Sequence, residues 1–544
     1  MTEKEITIEL KNPEIWILIS ILIAILFFEL IVTFNTPISF GDEGFHAGMA
    51  RWISENVEYP TWIPFSQTAN FKRDVSSPPY LHLLIASFLY LFGFNEVFIR
   101  FLPPFISFLT GLAVFLLGKE LYNKKVGFIG SIISVAIPSF VTYSVLIYVD
   151  VLVTLFFTMF FLLFVLYIKR GGKKYLVLSG IFGAFSFLTK TTGFVPYIFI
   201  FLVFVYELIK KRNFYEPFKK YFVLFLILIL VPSTFLLRNY FYYKNPGCYF
   251  PYMDKIFSGN GCILKVVEFE GKYKYESRTQ QVGTEQSVYS MGIMNYLDFA
   301  YGAISIFGIR IIFVVFALLG GLFLLLHQSD KISLFILFML IMFLIIFYSN
   351  PGRAEDTARY LLIFSPLICL IAAKWLEEFY NFIERYQKYL ALIVFIIIII
   401  FGYQNLKDKL DTMIKVKQFS PTFFEACDWV KKNLPKNAVL STVWSSRAAY
   451  NCQRDVRGNE PDIFLSTDVN YTKEVAKKLG ITHLFIQKFS LSNEALSESF
   501  KVDSVQLFEN HPETFKKVYE NGLALDQCLK QGGCDGNIIY EIVY

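Results

Sequence analysis

Charged side chains are scarce in this 544-residue sequence, and neither sign dominates. Asp, Glu, Lys and Arg make up 18% of the residues, and the formal net charge is only +6. The last segment, 406–544, has as many acidic as basic residues, so the small positive excess belongs to the preceding part. Because nucleic-acid binding needs a concentrated basic surface, we expect no nucleic-acid partner.

Several common motifs are also absent. Residues 406–544 contain neither a glycine-rich phosphate-binding loop nor cysteines and histidines at metal-binding spacing, and we expect no organic cofactor. No small-residue cleavage site follows Phe34. The first apolar segment is therefore expected to remain as a membrane helix instead of being removed as a signal.

Hydrophobic residues, by contrast, make up 55% of the chain, with continuous apolar runs such as 156–168 and 393–401. Because a helix needs about 20 residues to cross a bilayer, this composition predicts a polytopic α-helical membrane protein. Eleven spans are predicted, at residues 15–34, 97–118, 126–148, 151–168, 174–190, 193–209, 221–238, 302–326, 331–348, 360–376 and 389–405.

Basic residues cluster in three of the turns between these spans, at 119–125, 169–174 and 210–220. The turns at 148–150 and 190–193 carry at most one basic residue. Because short basic loops stay cytoplasmic, we expect a multi-pass protein of the cell membrane with a cytoplasmic amino end. The external segments would be the loops 35–96 and 239–301 and the tail 406–544.

One apolar run, 79–93, fits this orientation only if it does not span, because counting it would invert every basic loop that follows. It is shorter than a bilayer requires, and it carries His82. We predict a helix at the outer membrane surface, within the loop 35–96.

Six of the seven cysteines fall in segments that the charge rule places outside, whereas Cys369 falls within a span. An even number of cysteines in an oxidising compartment is what disulfides require. Nearness in sequence favours three pairs: Cys248 with Cys262, Cys427 with Cys452, and Cys528 with Cys534. Six cysteines allow many other connectivities, and unrelated buried thiols are the alternative.

The tail alternates predicted helices and strands. Apolar periodicity predicts helices at 421–433 and 473–479 and strands at 438–440 and 483–486. This alternation favours a partly parallel sheet with crossover helices. The chain is thus divided into a membrane part, 1–405, and an extracytoplasmic α/β domain, 406–544.

Polar residues that could carry chemistry follow the first span directly. Asp42 and Glu43 precede a predicted amphipathic helix at 44–56, which contains His46. Its apolar residues are expected to face the membrane: Phe45, Met49, Trp52 and Ile53. The alternative for Asp42 is that it merely caps this helix, a frequent use of aspartate.

Cationic residues lie at several outer ends of the predicted spans: Arg100, Lys190, Arg238, Arg353 and Arg359. Each alone is explained as a snorkelling anchor. Together they suit an anionic group at the interface, because arginine grips a phosphate with two hydrogen bonds and lysine supplies a point charge. Charge inside the spans is sparse, with Glu29 as the main exception, which disfavours an ion-coupled transporter.

Short motifs follow one another along residues 15–376: Gly41 to Arg51, Ser77 to Tyr80, Glu96 to Pro103, Tyr148 to Asp150, Leu188 to Lys190, Arg238 to Tyr240, and Arg359-Tyr360. Their order and spacing are similar to those of the membrane-embedded C-type glycosyltransferases, above all the protein O-mannosyltransferases and the aminoarabinose transferases of lipid A. The Trp-Trp-Asp-Tyr-Gly run of the oligosaccharyltransferases does not occur, which disfavours transfer of a large glycan en bloc.

The resemblance implies a transferase that moves a sugar from a polyprenyl-phosphate donor to a protein, lipid or glycan acceptor outside the membrane. Asp42 would be the general base, because the enzyme must activate a poor nucleophile. The other roles that the resemblance implies are orientation by Glu43 and His46, bracing of the first loop by Asp150, stabilisation of the departing phosphate by Lys190 with Arg100 or Arg359, and substrate binding by Arg238 and Tyr360.

A divalent metal ion is a separate question. Relatives often carry an acidic residue or a histidine before the Pro-Pro pair, where this chain has Ser76-Ser77. The candidate ligands are Asp42, His46 and Asp74, although a histidine near carboxylates more often makes only hydrogen bonds.

Two other function classes stay open. A lipid or glycolipid transporter or flippase would also have many spans, but it predicts internal repeats and ionisable residues near the midplane. A receptor-like binding protein would use the membrane part only to anchor the tail, which fits poorly with eleven spans and a polar outer rim.

Overall fold

The computed structural model describes residues 13–38, 42–59, 62–68, 71–74, 79–93, 95–246, 263–265, 359, 362–386, 407, 420–442, 445–457, 461–488, 502–530 and 534–544. Eleven helices are described before the tail: α1 Pro13–Phe34, α2 Glu43–Asn56, α3 Tyr80–Phe92, α4 Glu96–Leu121, α5 Lys124–Ala136, α6 Pro138–Ser144, α7 Val149–Arg170, α8 Lys173–Phe187, α9 Val195–Lys211, α10 Tyr215–Tyr243 and α11 Ser365–Tyr386.

Within these residues, five helices are long and apolar enough to cross a membrane, or six if the bent pair α5 and α6 forms one span. The five are α1, α4, α7, α9 and α10, with α9 counted over Thr192–Lys211. The helices α8 and α11, at the predicted spans 174–190 and 360–376, are not among these candidates. The predicted spans at 302–326, 331–348 and 389–405 lie outside the described residues, so the total of eleven stays a prediction. The apolar run at 79–93 forms the shorter helix α3.

A single helix over 126–148 is wrong, because the chain breaks at Ile137. This residue has extended backbone angles, with φ −65° and ψ 138°, and Pro138 begins α6. Proline lacks an N–H group and keeps the preceding residue out of the helical region. The two helices are therefore inclined by 63°, and residues 145–148 form a loop before α7.

The predicted helix at 174–190 also ends early, at Phe187. Lys190 has an extended backbone and precedes a short 3-10 turn, Thr191–Phe194, that leads into α9. Lys190 thus lies in a connection between two helices, where its side chain can turn toward the neighbouring helix α7.

Large aromatic residues and closely packed glycines hold these helices together. Phe160 and Phe161 on α7 meet Phe199 on α9 at ring-centroid distances of 6.0 and 4.8 Å. A Cβ atom on Gly118 of α4 would lie only 2.6 Å from the Cα atom of Gly127 on α5. Close approach of this kind is what stabilises membrane helices, because no water drives their apolar faces together.

The strands form one sheet of eight: β1 Trp62–Thr68, β2 Phe71–Asp74, β3 Ile263–Lys265, β4 Val439–Ser441, β5 Asp455–Arg457, β6 His483–Gln487, β7 Phe515–Gly522 and β8 Gly536–Ile542. Their order is β3-β2-β1-β5-β4-β6-β8-β7, with parallel pairs at β1·β5, β5·β4 and β4·β6. The tail helices are α12 Pro421–Asn433, α13 Ser445–Cys452, α14 Pro461–Phe464, α15 Val469–Leu479, α16 Val502–Asn510 and α17 Leu525–Lys530.

The sheet crosses the predicted boundary between the two parts of the chain. Strands β1 and β2 come from the loop 35–96 and β3 comes from the loop 239–301, and Gln67 of β1 pairs with Arg457 of β5. Strand β1 is therefore paired directly with a strand of the tail, and β3 belongs to the same sheet through β2 and β1. The boundary at 405 therefore stays a prediction, and one sheet contains strands from both sides of it.

The local elements predicted for the tail are present. The helix 421–433 is α12, and the two predicted strands are β4 and β6. The helix predicted at 473–479 begins earlier, at Val469, because the Asp468 carboxylate caps it by accepting hydrogen bonds from the backbone of Asn470 and Tyr471.

Two of the predicted disulfides are confirmed. Cys427 is bonded to Cys452 and Cys528 to Cys534. The first joins α12 to α13, the helix that packs on α2. Cys369 on α11 is a buried free thiol. The predicted pair Cys248 and Cys262 lies outside the described residues.

The apolar side of α2 packs against two parts of the protein. For two of its four apolar residues, the prediction that they face the membrane is wrong. Trp52 and Ile53 pack with the helical bundle. Phe45 and Met49 pack instead with the tail cluster around Phe423. Because α2 is shared in this way, the tail contributes to holding the residues at its start.

Candidate active site

Three ionisable groups meet at the first turn of α7. The side chain of Asp150 is only 1% exposed, and it lies between two cations. Its Oδ1 accepts a hydrogen bond from Lys190 Nζ, and its Oδ2 accepts one from Arg359 Nε at 2.9 Å. Such partners are required, because a buried carboxylate without them would be strongly destabilising.

Arg359 also reaches the residue that precedes α2. Its Nη1 lies 3.2 Å from Asp42 Oδ2, and its guanidinium carbon lies 4.5 Å from the centroid of the Tyr148 ring. Burial opposes the charge of Arg359, but the carboxylates of Asp150 and Asp42 outweigh burial and raise its pKa. One permanent cation therefore bridges two carboxylates across an aromatic face.

Asp42 occupies the N-cap position of α2 without capping it. Its backbone angles are φ −84° and ψ 0°, and its side chain makes no hydrogen bond to the helix backbone. The carboxylate, more than half exposed, points instead to Arg359. The alternative explanation of Asp42 as a simple helix cap is therefore wrong, and its carboxylate is left accessible for chemistry.

The loop 145–148 holds Asp42 and Glu43 from the other side. The Asp42 N–H donates to the Tyr148 hydroxyl at 2.9 Å, and the Ile147 N–H donates to Glu43 Oε1 at 3.2 Å. Burial, together with the negative charge of Asp42, raises the pKa of Tyr148, so its hydroxyl stays protonated at neutral pH. Glu43 is almost fully buried and faces the loop, whereas the side chain of Asp42 is more than half exposed.

His46 begins a second hydrogen-bonded group beside this cluster. Its Nδ1 lies 2.8 Å from His82 Nε2, and Tyr59 Oη lies 3.3 Å from His82 Nδ1. Burial and then the charge of Arg359 lower the pKa of His46 to about 3. Burial also lowers the pKa of His82, so both rings are neutral at pH 7. They can orient neighbouring groups but do not add charge.

The proposed metal ligands do not converge in the part of the chain that the structure describes. No group of three His, Cys, Asp or Glu side chains there could hold a metal ion. Asp42 is directed at Arg359, a cation, and His46 is directed at His82. For Asp74 only the backbone is described, as the end of β2. Asp42 and His46 therefore do not fit a shared metal site.

Two of the predicted phosphate-binding cations have other described partners than Asp150. Arg100 pairs with Glu96 at 3.0 Å and donates to the carbonyls of Thr33 and Thr36 at the end of α1. Arg238 packs over three aromatic rings, at 5.0 Å from the centroid of Tyr59. Tyr360 and Arg353 lie outside the described residues. Among the described cations, Lys190 and Arg359 are the ones that meet Asp150.

Three residues at the site had no predicted role. Tyr148 belongs to the motif that ends in Asp150, so its place beside the site could have been suspected. In the sequence, His82 stands out only as a polar residue within the apolar run 79–93. Arg447 on α13 is buried in the tail, and its charge interacts with Glu43 and Tyr148, while burial lowers its pKa to about 10. No local signal connects Arg447 with α2.

Comparison with known proteins adds a family match over part of the chain. Residues 76–236 match the family model described as dolichyl-phosphate-mannose-protein mannosyltransferase. No curated protein matches the chain in a sequence comparison. The matched range contains Tyr148, Asp150 and Lys190 and ends just before Arg238.

Similarity to solved structures extends over nearly the whole chain. The oligosaccharyltransferase of Archaeoglobus fulgidus is 15% identical, with a TM-score of 0.61 over 90% of this chain and 71% of the other. ArnT from Cupriavidus metallidurans is 10% identical, with a TM-score of 0.60 over 97% and 98%. The arabinofuranosyltransferase AftD from Mycobacteria is 12% identical, with a TM-score of 0.55 over 96% and 40%. At these identities the likeness is one of fold.

Proposed function

We propose, from the premise that this chain has the fold of the membrane-embedded C-type glycosyltransferases, that it transfers a sugar from a polyprenyl-phosphate donor to an acceptor at the extracytoplasmic membrane surface. Proteins of this fold have been solved with dolichol-phosphate and with undecaprenyl phosphate. The observation that carries the proposal is the single guanidinium of Arg359, which joins Asp42 to the buried Asp150.

The chemistry needs a base and a cationic group close together. Asp42 takes the proton from the attacking acceptor group as this group forms a bond to the anomeric carbon, while the bond from that carbon to the phosphate oxygen breaks. The electron pair of the broken bond stays on the phosphate, and Lys190 and Arg359 stabilise its charge. Asp150 holds both cations in place while cancelling only one of their two charges.

Arg359 also connects the proton transfer to Asp42 with the departure of the phosphate. In the resting site its contact with Asp42 neutralises that carboxylate. As Asp42 gains the acceptor proton it loses its charge, so the guanidinium is freed to interact more strongly with the departing phosphate. The Tyr148 ring beneath the guanidinium limits its movement.

The acceptor is proposed to bind between the start of α2 and the tail. The Asp42 carboxylate is more than half exposed, and the charge of Arg447 in the tail interacts with the neighbouring Glu43. Protein, lipid and glycan acceptors all carry nucleophiles that Asp42 could activate. The cytoplasmic amino end and the external position of both loops and of the tail belong to the same proposal.

Sugar transfer by the purified protein in sealed proteoliposomes tests the proposal. Radiolabelled sugar on a polyprenyl phosphate is offered with membrane extract as acceptor, and transfer is compared between the unaltered chain and Asp42→Asn. Loss of transfer in a folded variant supports Asp42 as the base. Movement of the intact donor between leaflets without any transfer would instead identify a flippase, and the proposal would fail.

A further inference from the structure

Glu29 on α1 is a buried carboxyl group that the proposed mechanism leaves unused. It is 0% exposed, and its Oε1 lies 2.6 Å from Ser144 Oγ and 3.1 Å from Ser107 Oγ. Within the described residues its Oε2 has no hydrogen-bond partner. An ionisable side chain in a membrane helix is costly, and an apolar one would fill this position without that cost.

Ser144 connects this carboxyl group to the active-site loop. It is the last residue of α6, and the loop 145–148 follows it directly. Within this loop Ile147 bonds Glu43 and Tyr148 bonds Asp42, and α7 then begins with Asp150 in its first turn. A fixed Ser144 therefore fixes the start of the segment that contacts both carboxylates at the head of α2.

The break at Ile137 separates the direction of α6 from that of α5. The seven-residue helix α6 is inclined by 63° to α5, so α5 cannot hold the end of α6 by simple continuation. The hydrogen bond between Glu29 and Ser144 ties that end to α1 instead. The chain of α1 then runs on from Glu29 toward Asp42, so one carboxyl group links both segments that build the site.

We infer that Glu29 is a positioning residue for the proposed transfer: through Ser144 it sets the loop 145–148, and through that loop the placement of Asp42. This inference rests on the proposed function. Displacement of a reacting group by about 1 Å can cost roughly a hundredfold in rate, so a remote tether of this kind can affect turnover strongly.

Three variants and one matched control test the inference. Glu29→Leu and Ser144→Ala each remove the tether, and we expect kcat to fall about tenfold or more. The KM for the donor should change less than kcat, because Lys190 and Arg359 keep their contacts with Asp150 on α7 even when Tyr148 and Asp42 shift. Glu29→Gln keeps a group that can hydrogen-bond to Ser144 and should recover most of the rate. Ser107→Ala removes the other hydroxyl partner, on α4, and should leave kcat within about twofold of the unaltered chain.

Hydrogen exchange provides a second measurement that does not depend on activity. In Glu29→Leu the backbone amides of Ile147 and Asp42 should exchange faster, whereas those of β6 in the tail should not change. The inference is overturned if Ser144→Ala has normal kcat and normal loop exchange, or if Ser107→Ala is as defective as Ser144→Ala. If the unaltered chain transfers no sugar, the proposed function alone is wrong. The hydrogen-exchange result would still decide whether Glu29 positions the loop 145–148.

Discussion

Arg359 Nη1 lies 3.2 Å from Asp42 Oδ2, although the two residues are 317 positions apart in the chain. The same guanidinium donates from Nε to Asp150 at 2.9 Å. The proposed base and the buried anchor of the cationic group are thus joined by one side chain.

Asp42→Asn should reduce kcat about 10²- to 10⁴-fold while leaving the fold intact, because the amide keeps the shape but cannot take a proton. Single-turnover transfer measures the effect. Glu55→Gln is the matched control, since Glu55 lies exposed on the same helix and pairs with Arg51. Normal transfer by Asp42→Asn would remove Asp42 from the role of base.

Arg359→Lys should impair donor use nearly as much as Arg359→Ala, because a lysine ammonium cannot reach two carboxylates and cover the Tyr148 ring at once. We expect the KM for the donor to increase roughly tenfold or more, because the variant loses charge-assisted hydrogen bonds.

Arg100→Lys separates phosphate binding from structural support. Arg100 is engaged with Glu96 and with carbonyl groups at the end of α1, so this variant should lower the unfolding temperature and leave the KM for the donor unchanged. If the KM for the donor instead rises as much as in Arg359→Lys, Arg100 takes part in phosphate binding.

Tyr148→Phe should lower kcat about tenfold with little change in thermal stability. The ring beneath Arg359 is kept, while the acceptor of the Asp42 N–H is lost, at a cost of about 1 kcal/mol. Tyr143→Phe, on the neighbouring helix α6, serves as the control. Equal losses in both variants would argue against a specific role for the Tyr148 hydroxyl.

His46 should make the protein sensitive to acid. Its pKa is lowered to about 3 in the folded state from 6.5, so the unfolded state binds more protons between these values. Stability is then fully present above about pH 6.5 and is lost as the pH falls toward 3. Thermal unfolding of His46→Gln should therefore depend less on pH in this range than that of His511→Gln, which alters an exposed histidine.

Gly44→Ala should reduce activity by moving α2 away from the tail. A Cβ atom at this position would lie 2.9 Å from the carbonyl oxygen of Ser446 on α13. Gly48→Ala on the same helix gains the same helix propensity, about 1 kcal/mol, at a partly exposed position. We expect Gly48→Ala to be fully active and Gly44→Ala to be slower, as measured by transfer at saturating donor.

Only part of the site was accessible from the sequence. Asp42, Asp150, Lys190 and Arg359 were all named as candidates, because polar residues at the outer ends of apolar spans stand out. The choice between Arg100 and Arg359 was open, since both precede an apolar segment. In the structure Arg100 turns to the end of α1, whereas Arg359 meets Asp150 beside Lys190, which favours Arg359 for this proposed role.

The sequence by itself determined the features that depend on neighbouring residues: the apolar helices and the polar start of α2. Hydropathy is a local property, and it acts wherever the segment lies. Tertiary structure decided what depends on packing: the pairs Cys427 with Cys452 and Cys528 with Cys534 among the possible connectivities, the approach of Arg359 to Asp42, the hydrogen bond between Glu29 and Ser144, and the sheet that contains β1, β2 and β3 together with the strands of the tail. These contacts form between distant segments, so no local pattern specifies them.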